Sequence, residues 1–179
     1  TCGGLQSNHC RATAAVAARL GMQAYLVLRT DDPNVPADGN YLIDQVLGAH
    51  ILLITPQDYR TRRSEIMKEI ASEQAQAGRK AYIIPEGASN GIGTFGYLSC
   101  MQEIVQQERD IGVTFDTLVD AVGSGGTLAG LALANKLFHL GKRVVGINVC
   151  DDASFFQSRV AQITAEAASY LETDIALAP

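Results

Sequence analysis

Four polar side chains in succession follow a pair of glycines near the start of the chain. They are Gln6, Ser7, Asn8 and His9. Capping the helix predicted after them needs only one such residue, so the run predicts more than a helix cap. Hydroxyl, amide and imidazole groups at a helix N-terminus suit a carboxylate or a phenolic oxygen. The turn therefore predicts a small-molecule site, with capping by Ser7 or Asn8 alone as the alternative.

A second candidate site is a turn made only of small residues, namely Gly123, Ser124, Gly125, Gly126 and Thr127. The pattern predicts a buried strand before this turn and a helix after it. That succession leaves backbone N–H groups pointing into one concavity at the positive end of the helix dipole. The spacing indicates a phosphate site, and a tight turn without a ligand is the alternative.

Other anion-binding and nucleophile motifs fit the sequence poorly. A dinucleotide fingerprint needs a third glycine where Leu128 stands, and a Walker loop needs a lysine directly before Thr127. His9 and Cys10 are neighbours on a helix and point about 100° apart, so His9 is a poor base for that thiol. The chain has four cysteines, which are Cys2, Cys10, Cys100 and Cys150. They form no CxxC pair and do not have the spacing of metal ligands. We expect structural thiols and no metal site.

The composition is that of an ordinary globular chain, with 47% of 179 residues hydrophobic, 18% charged and a net charge of −5. This acidic balance argues against nucleic acid or an anionic membrane as a partner. No apolar run is long enough to span a bilayer, and the first residues lack the pattern of a signal peptide. Cysteines without a pairing pattern favour a reducing compartment, so the sequence predicts a cytoplasmic protein.

Strands alternate with helices along the chain, which indicates an α/β fold with parallel sheets covered on both faces. Strands are predicted at 23–28, 49–54, 81–84, 117–122 and 143–149, and helices at 11–20, 39–47, 59–77, 94–107, 128–140 and 154–170. No element is predicted for 171–179. Two separate glycine-rich loops favour two lobes, 1–107 and 108–179. Both loops are expected to face one cleft, because cofactor-sized ligands bind between domains.

The first turn and its helix, from Gly3 to Ala18, resemble the substrate-site helix of the D-cysteine desulfhydrase/1-aminocyclopropane-1-carboxylate deaminase family. Further stretches resemble landmarks of that family in the same order: Gly39–Asp44, Pro85–Asn90 with Gly96-Tyr97, and Gly123–Thr127. The match covers essentially all 179 residues. The family lies in the tryptophan-synthase-β-like (fold type II) group of pyridoxal-phosphate enzymes, which implies two three-layer lobes. His9 favours the desulfhydrase, since the deaminases typically have glutamine there.

The resemblance implies roles for both candidate sites. Asn8 would hydrogen-bond the ring hydroxyl oxygen of pyridoxal 5′-phosphate, and Ser7 would contact the substrate carboxylate or act in proton transfer. Gln6 and His9 would line the pocket of a small amino-acid substrate. The cofactor phosphate would be held by Gly123, Ser124, Gly125, Gly126 and Thr127, in agreement with their interpretation as an anion site. The full-length enzyme would be a homodimer.

The family's Schiff-base lysine and active-site tyrosine have no counterpart in this sequence. By resemblance they lie before and after it, so the chain is interpreted as an internal fragment: a small domain over 1–107 and part of an incomplete large pyridoxal-phosphate-binding domain over 108–179. Alone, it is not expected to complete the reaction. The lysines expected on solvated faces are Lys68, Lys80, Lys136 and Lys142.

The reaction implied by the resemblance is α,β-elimination from D-cysteine, which yields pyruvate, sulfide and ammonia. Cyclopropane ring opening by a 1-aminocyclopropane-1-carboxylate deaminase and release of sulfite from cysteate are alternatives on the same fold. A non-catalytic ligand-binding or structural remnant is the alternative of a different class.

Overall fold

The computed structural model describes residues 1–172, and the remainder of the stretch without a predicted element, 173–179, lies outside the described residues. The elements in chain order are β1 (Cys2–Gly4), α1 (Asn8–Arg19), β2 (Tyr25–Arg29), α2 (Gly39–Val46), β3 (His50–Ile54), α3 (Pro56–Gln76), a short turn of 3₁₀ type (Glu86–Ala88), α4 (Gly91–Ile111), β4 (Thr117–Val122), α5 (Gly126–Leu137), β5 (Arg143–Asn148) and α6 (Ala153–Tyr170).

The chain divides into two compact units, one spanning Thr1–Gly87 and the other beginning at Ala88. The division falls well before the predicted boundary between 107 and 108. The reason is that α4 packs on α5 and α6, so the whole helix belongs to the second unit. Met101 of α4, for example, shares a core with Leu133 of α5. The assignment of the units as small domain and cofactor-binding domain stays a prediction.

The first unit is a three-layer arrangement around a parallel sheet of order β1-β2-β3. Side chains alternate along the central strand: Leu26 and Leu28 face a core formed with α1 and α2, and Val27 faces a core formed with α3. Each of these three residues is at most 1% exposed. Burial on both faces is typical of a strand within a parallel sheet. The predicted α/β class with parallel sheets is confirmed.

Local sequence explains where the helices of this unit begin and end. Ser7 caps α1, because its Oγ accepts the N–H of Cys10 at 3.2 Å. Gly21 follows that helix with a φ of 67°, in the left-handed region that favours glycine. Thr55 caps α3, and Pro56 stands in the first turn, where its missing N–H leaves no hydrogen bond unmade. The predicted cap and the predicted stop of α1 are confirmed, and α3 begins earlier than predicted.

The second unit pairs β4 with β5 in parallel, and α4, α5 and α6 pack together beside this two-stranded sheet. Leu118 and Val144 contribute to the core shared by α4 and α5. On the opposite face of the sheet, Val119 and Ile147 are 68% and 54% exposed. Among the described residues, helices therefore cover one face of this sheet, and the three-layer arrangement belongs to the first unit.

The strand predicted at 81–84 does not form. Tyr82 and Ile83 are 70% and 38% exposed, and neither described sheet extends to this segment. A strand needs a hydrogen-bonded neighbour to satisfy its backbone groups. The apolar pattern alone was therefore insufficient to predict a strand here.

Lys142 is not on a solvated face, contrary to the prediction that holds for the other three lysines. Its side chain is 6% exposed, and its ammonium group donates to Glu108 Oε1 at 2.6 Å and to the carbonyl oxygen of Phe115 at 2.7 Å. The hydrogen bond from Lys142 holds the pKa of the Glu108 carboxyl below its usual range. The side-chain amide of Asn135 bonds both the N–H and the C=O of Lys142, at 3.0 and 2.8 Å. That clamp directs the lysine side chain toward the end of α4.

The described part of the chain contains neither a helix suited to span a membrane nor a group of side chains suited to hold a metal ion. None of its helices is long and apolar enough to cross a membrane, and nowhere in it do three His, Cys, Asp or Glu residues gather in a group that could hold a metal ion. Cys2 and Cys10 are buried thiols, and burial raises the pKa of Cys10 to about 11. A thiol that stays protonated is a poor nucleophile, which agrees with the prediction of a structural thiol at Cys10. Cys150, by contrast, is exposed, so burial does not support that prediction there.

Helices α4 and α5 approach each other closely at Gly130. A Cβ on this residue would lie 2.5 Å from the Cβ of Tyr97 and 2.9 Å from the carbonyl oxygen of Thr94. Gly130→Ala is expected to lower the free energy of unfolding by about 1–3 kcal/mol, because the helices must separate to admit the methyl group. Urea denaturation measures this change.

Gly96→Ala is the matched control, because Gly96 also lies inside a helix but a Cβ there would meet nothing within 4 Å. Alanine exceeds glycine in helix propensity by about 1 kcal/mol. This variant is therefore expected to be at least as stable as the wild-type chain. Equal losses from the two replacements would contradict the packing explanation.

Asp44 is a buried carboxyl on the face of α2 that contacts α1. It is fully buried, and neither of its side-chain oxygens has a hydrogen-bond partner among the described residues. Burial raises the pKa of Asp44 to about 6, against the opposing charge of Arg11. The folded chain therefore holds this proton more tightly than the unfolded chain, in which an aspartate has a pKa of about 3.9.

This difference predicts that Asp44 makes the fold less stable as pH rises from about 4 to about 6. In that range the folded state binds more protons than the unfolded state, so the free energy of unfolding falls with rising pH. Asp44→Asn removes the titration. We expect unfolding of the variant, followed from pH 4 to pH 7, to show less of this fall than wild type; identical pH profiles would rule the explanation out.

Candidate functional site

The first candidate site begins where β1 turns into α1, within the first unit. Gly3 lies so close to Ser7 that a Cβ on it would stand 2.7 Å from the Ser7 Oγ, so only glycine fits. The Ser7 hydroxyl is half-buried and accepts the N–H of Cys10. A hydroxyl that accepts one hydrogen bond still has its own proton to donate. Capping the helix and contacting a ligand are therefore compatible roles for Ser7.

The side chain of Gln6 binds the turn that precedes α2. Its Oε1 accepts the N–H of Asn40 at 2.8 Å, and its Nε2 donates to Oδ1 and the carbonyl oxygen of Asp38 at 2.9 and 3.3 Å. Gly39 makes room for this contact: its φ is 50°, and a Cβ there would lie 2.5 Å from Gln6 Oε1. Both amide protons of Gln6 are thus used inside the protein. Its place in a substrate pocket stays a prediction. There the side chain of Gln6 would act only as an acceptor, through its Oε1.

Asn8 and His9 are the first two residues of α1. Asn8 is exposed, and its Oδ1 accepts from Nδ2 of Asn40 at 2.8 Å. The Nε2 of His9 lies 2.7 Å from Thr1 Oγ1. Burial lowers the pKa of His9 below its usual value, so its imidazole is neutral near pH 7. The structure therefore joins Gln6 and Asn8 through Asn40, a residue to which the sequence assigned no role.

The second candidate site lies in the second unit, where α5 begins at Gly126. The N-cap residue is Gly125, with a φ of 90° and no side chain to satisfy the first N–H groups of the helix. The N–H of Gly126 donates to Ser89 Oγ at 3.1 Å. Among the described residues, the N–H groups of Thr127 and Leu128 have no acceptor. They stand at the positive end of the α5 dipole, as the predicted succession of strand, turn and helix requires.

Ser89 completes this site, although no sequence pattern indicated a role for it there. It is 1% exposed, and its hydroxyl donates to Ser124 Oγ at 2.7 Å while it accepts from Gly126. A Cβ on Gly126 would lie 2.6 Å from Ser89 Oγ. The only available signal was a serine near a helix start, which would indicate a cap. Asn90 takes that capping role instead, accepting the N–H of Gly93 at 2.8 Å.

Arg159 of α6 is a second residue of this site that the sequence did not indicate. Its Nη2 donates to the carbonyl oxygen of Ser89 at 2.9 Å, and its Nη1 donates to Gln162 Oε1 at 3.1 Å. A Cβ on Gly125 would lie 3.4 Å from the Arg159 Cγ. Arg159 therefore holds the backbone at Ser89 beside the start of α5. A single basic residue on a helix carries no signal of such a contact.

The strand, glycine turn and helix of the second unit accompany a family match over nearly the whole chain. The model of the family described as pyridoxal-phosphate dependent enzyme matches residues 1–177. The chain belongs to this family. Its cofactor is pyridoxal phosphate.

Individual relatives of this pyridoxal-phosphate-dependent chain carry two activities in their names. The bifunctional D-cysteine desulfhydrase/1-aminocyclopropane-1-carboxylate deaminase of Arabidopsis thaliana, named as mitochondrial, is 40% identical over 165 residues, which are 87% of this chain and 41% of the relative. The D-cysteine desulfhydrase of Yersinia pestis is 33% identical over 167 residues, 91% of this chain and 49% of the relative. A solved structure of a homologue of 1-aminocyclopropane-1-carboxylate deaminase superposes with a TM-score of 0.87 at 36% identity, over 99% of this chain and 53% of the other.

These similarities confirm the resemblance to the D-cysteine desulfhydrase/1-aminocyclopropane-1-carboxylate deaminase family. The chain spans about half the length of the relatives it matches. The roles assigned to single residues and the common cleft for the two loops stay predictions.

The hydroxyl of Ser89 is expected to stabilise the start of α5. Ser89→Ala leaves the buried N–H of Gly126 without its acceptor and the hydroxyl of Ser124 without its donor. Loss of a buried hydrogen-bond partner costs about 1–3 kcal/mol. We expect the free energy of unfolding, measured in urea, to fall by about that amount.

Ser158→Ala serves as the matched control for this replacement. Ser158 is an exposed residue of α6 whose hydroxyl donates only to the carbonyl oxygen of Ser154, one turn earlier. Exposed replacements of this kind change stability by less than about 0.5 kcal/mol. If Ser89→Ala is as mild as Ser158→Ala, the hydroxyl of Ser89 does not stabilise the start of α5.

Proposed function

We propose that the chain supplies the phosphate-binding loop and the substrate-site turn of a pyridoxal-phosphate-dependent lyase that acts on D-cysteine. The observation that carries the proposal is the start of α5, where the N–H groups of Thr127 and Leu128 have no acceptor among the described residues. A phosphate is well bound by such N–H groups together with nearby hydroxyls. Because the net charge is −5, these local dipoles, and not a general attraction, would hold the anion.

The donors present suit each end of the cofactor. Gly123, Ser124, Gly125, Gly126 and Thr127 would hold the phosphate, and Asn8 would donate to the ring hydroxyl oxygen. When bound, the cofactor supplies the electron sink of the reaction, and the protein supplies binding and orientation. The proposal requires that Asn8 and the phosphate loop reach the same cofactor molecule.

Two residues of the first turn are proposed to receive the substrate. Ser7 has a hydroxyl proton to donate beside the N-terminus of α1, where the helix dipole favours a carboxylate. It would bind the carboxylate of a small amino acid or pass a proton within the same site. His9, neutral near pH 7 because of its lowered pKa, would line the pocket with its Nδ1, because its Nε2 already lies 2.7 Å from Thr1 Oγ1. The products would be pyruvate, sulfide and ammonia.

The cellular setting is inferred from the state of the cysteines. The buried thiols Cys2 and Cys10 suit a reducing compartment, and we propose the cytoplasm, although the Arabidopsis relative is named as mitochondrial. By resemblance the full-length enzyme would be a homodimer. The first unit would belong to its small domain, and the second unit to its large cofactor-binding domain.

The second candidate function is that of a 1-aminocyclopropane-1-carboxylate deaminase. It is favoured by the Arabidopsis relative, whose name combines both activities. Sulfite release from cysteate would use the same binding groups. A non-catalytic ligand-binding or structural role is the remaining alternative, and it would retain the phosphate loop without turnover.

The phosphate assignment is tested by calorimetric titration with pyridoxine 5′-phosphate, which has no aldehyde and so cannot react with lysine. Wild type is expected to bind it at least about tenfold more tightly than pyridoxine. Thr127→Val removes one hydroxyl at nearly constant shape and is expected to weaken binding about tenfold, since a hydrogen bond to a charged group contributes about 1.5–3 kcal/mol. Thr117→Val, on an exposed strand residue, is the matched control and is expected to bind as wild type does.

The activity is tested on the protein that contains this chain. Sulfide and pyruvate released from D-cysteine would support the proposed lyase. Ammonia released only from 1-aminocyclopropane-1-carboxylate would favour the deaminase, and sulfite released from cysteate would favour the third activity. Tight binding of the phosphate compound without any of these products would favour the non-catalytic alternative.

A further inference from the structure

The side-chain amide of Asn40 has only one acceptable orientation. One end of it lies 2.9 Å from the carbonyl oxygen of Gln6. A backbone carbonyl can only accept, so this end must be Nδ2, the donor of the amide. The reverse orientation would place two acceptor oxygens against each other. The backbone of the first turn therefore decides which way the amide of Asn40 points.

Asn40 in turn decides the orientation of Asn8. The same Nδ2 lies 2.8 Å from the Asn8 side chain, and an amide nitrogen carries two protons. Its second proton therefore meets the oxygen of Asn8, because a nitrogen there would set donor against donor. The amide of Asn8 then presents Nδ2 on its open side, where it has no acceptor among the described residues.

Nothing else in the described chain holds the amide of Asn8. Asn8 is exposed, and the contact with Asn40 is its one side-chain hydrogen bond among the described residues. Without that contact the two orientations of an exposed amide differ little in energy. One orientation offers a ligand a donor, and the other offers it an acceptor. A ring oxygen that accepts hydrogen bonds is bound only by the first.

We infer that Asn40 is a positioning residue, which holds Asn8 with its Nδ2 turned outward as the donor for the ring oxygen of the cofactor. The inference rests on the role of Asn8 given under Proposed function. It adds a residue that touches neither cofactor nor substrate and acts through Asn8. Gln6 belongs to the same device, since its carbonyl oxygen orients Asn40 and its Oε1 accepts the N–H of Asn40 at 2.8 Å.

Asn40→Asp is the informative variant, because it keeps the shape of the side chain and replaces its donor by an acceptor. A carboxylate at this place attracts Nδ2 of Asn8 and so turns Oδ1 of Asn8 outward. The matched control is Gln45→Glu, which makes the same change from amide to carboxylate on an exposed residue of the same helix. Any effect of a more negative net charge on binding of the anionic ligands would appear in both variants.

The measurement is the ratio of two dissociation constants from calorimetric titration. The ligands are pyridoxine 5′-phosphate and its 3-deoxy analogue, which lacks the ring oxygen and keeps the phosphate. Wild type and Gln45→Glu are expected to bind pyridoxine 5′-phosphate about tenfold more tightly than the 3-deoxy analogue. This factor is the equivalent of one hydrogen bond. Asn40→Asp is expected to bind the two ligands about equally. If the role of Asn40 were purely structural, Asn40→Asp would weaken the binding of both ligands alike and leave the tenfold ratio of their dissociation constants unchanged.

A double-mutant cycle joins the two residues. Asn8→Ala alone is expected to remove the preference, and Asn40→Asp added to it is expected to change the ratio no further. If Asn40→Asp keeps the tenfold ratio, the inference is overturned and the proposed function stands. If wild type binds neither phosphate compound, the proposed function itself fails and the inference fails with it.

A measurement on the wild-type chain covers the case in which Asn40→Asp does not fold. Nuclear magnetic resonance of the side-chain amides reports hydrogen exchange of each Nδ2 separately. Both protons of Asn40 are expected to be protected, and those of Asn8 are expected to exchange as in an open side chain. The opposite pattern would show that Asn8 is the donor to Asn40, which overturns the inference.

Discussion

Polar side chains that lie against a glycine more closely than a Cβ on that glycine would allow are the constraint on which both candidate sites depend. Gly3 lies against Ser7, Gly39 against Gln6 and Gly126 against Ser89, each at a distance that a Cβ would make too short. These contacts bring polar groups to the start of α1 and of α5. A glycine in a turn is usually explained by its backbone angles. Here the space beside the glycine matters as much, because a polar side chain of a candidate site occupies it.

The sequence could predict those features that depend on neighbours along the chain. Apolar runs and caps such as Ser7 place most helices and strands, and small residues between a strand and a helix indicate the anion site. The prediction of a strand at 81–84 was wrong, because a strand depends on a hydrogen-bonded partner that can lie far away in the sequence. The division at Gly87 was missed for a related reason, since it follows from the packing of α4 on later helices.

The residues that complete the sites were beyond the reach of sequence patterns. Ser89 meets Gly126 across 37 positions, and Arg159 meets Ser89 across 70. Asn40 stands 32 positions after Asn8. Each of these side chains belongs to a common type in an unremarkable local setting, so only the folded chain reveals its partner. The family resemblance located the stretches that contain Ser89 and Asn40 without assigning either a task.

The central strand of the first unit has a consequence for motion. Its residues Leu26, Val27 and Leu28 are buried in two separate cores, and its backbone is bonded to strands on both sides. Amide protons in such a position exchange with solvent only when a large part of the structure opens, whereas turns exchange through local fluctuation. Yet β1, one of its neighbours, ends only a few residues before Ser7 and Asn8. Through β1, the turn that carries these polar groups is thereby joined to the part of the unit that opens last. This connection limits how far the side chains of the turn can move while no ligand is bound.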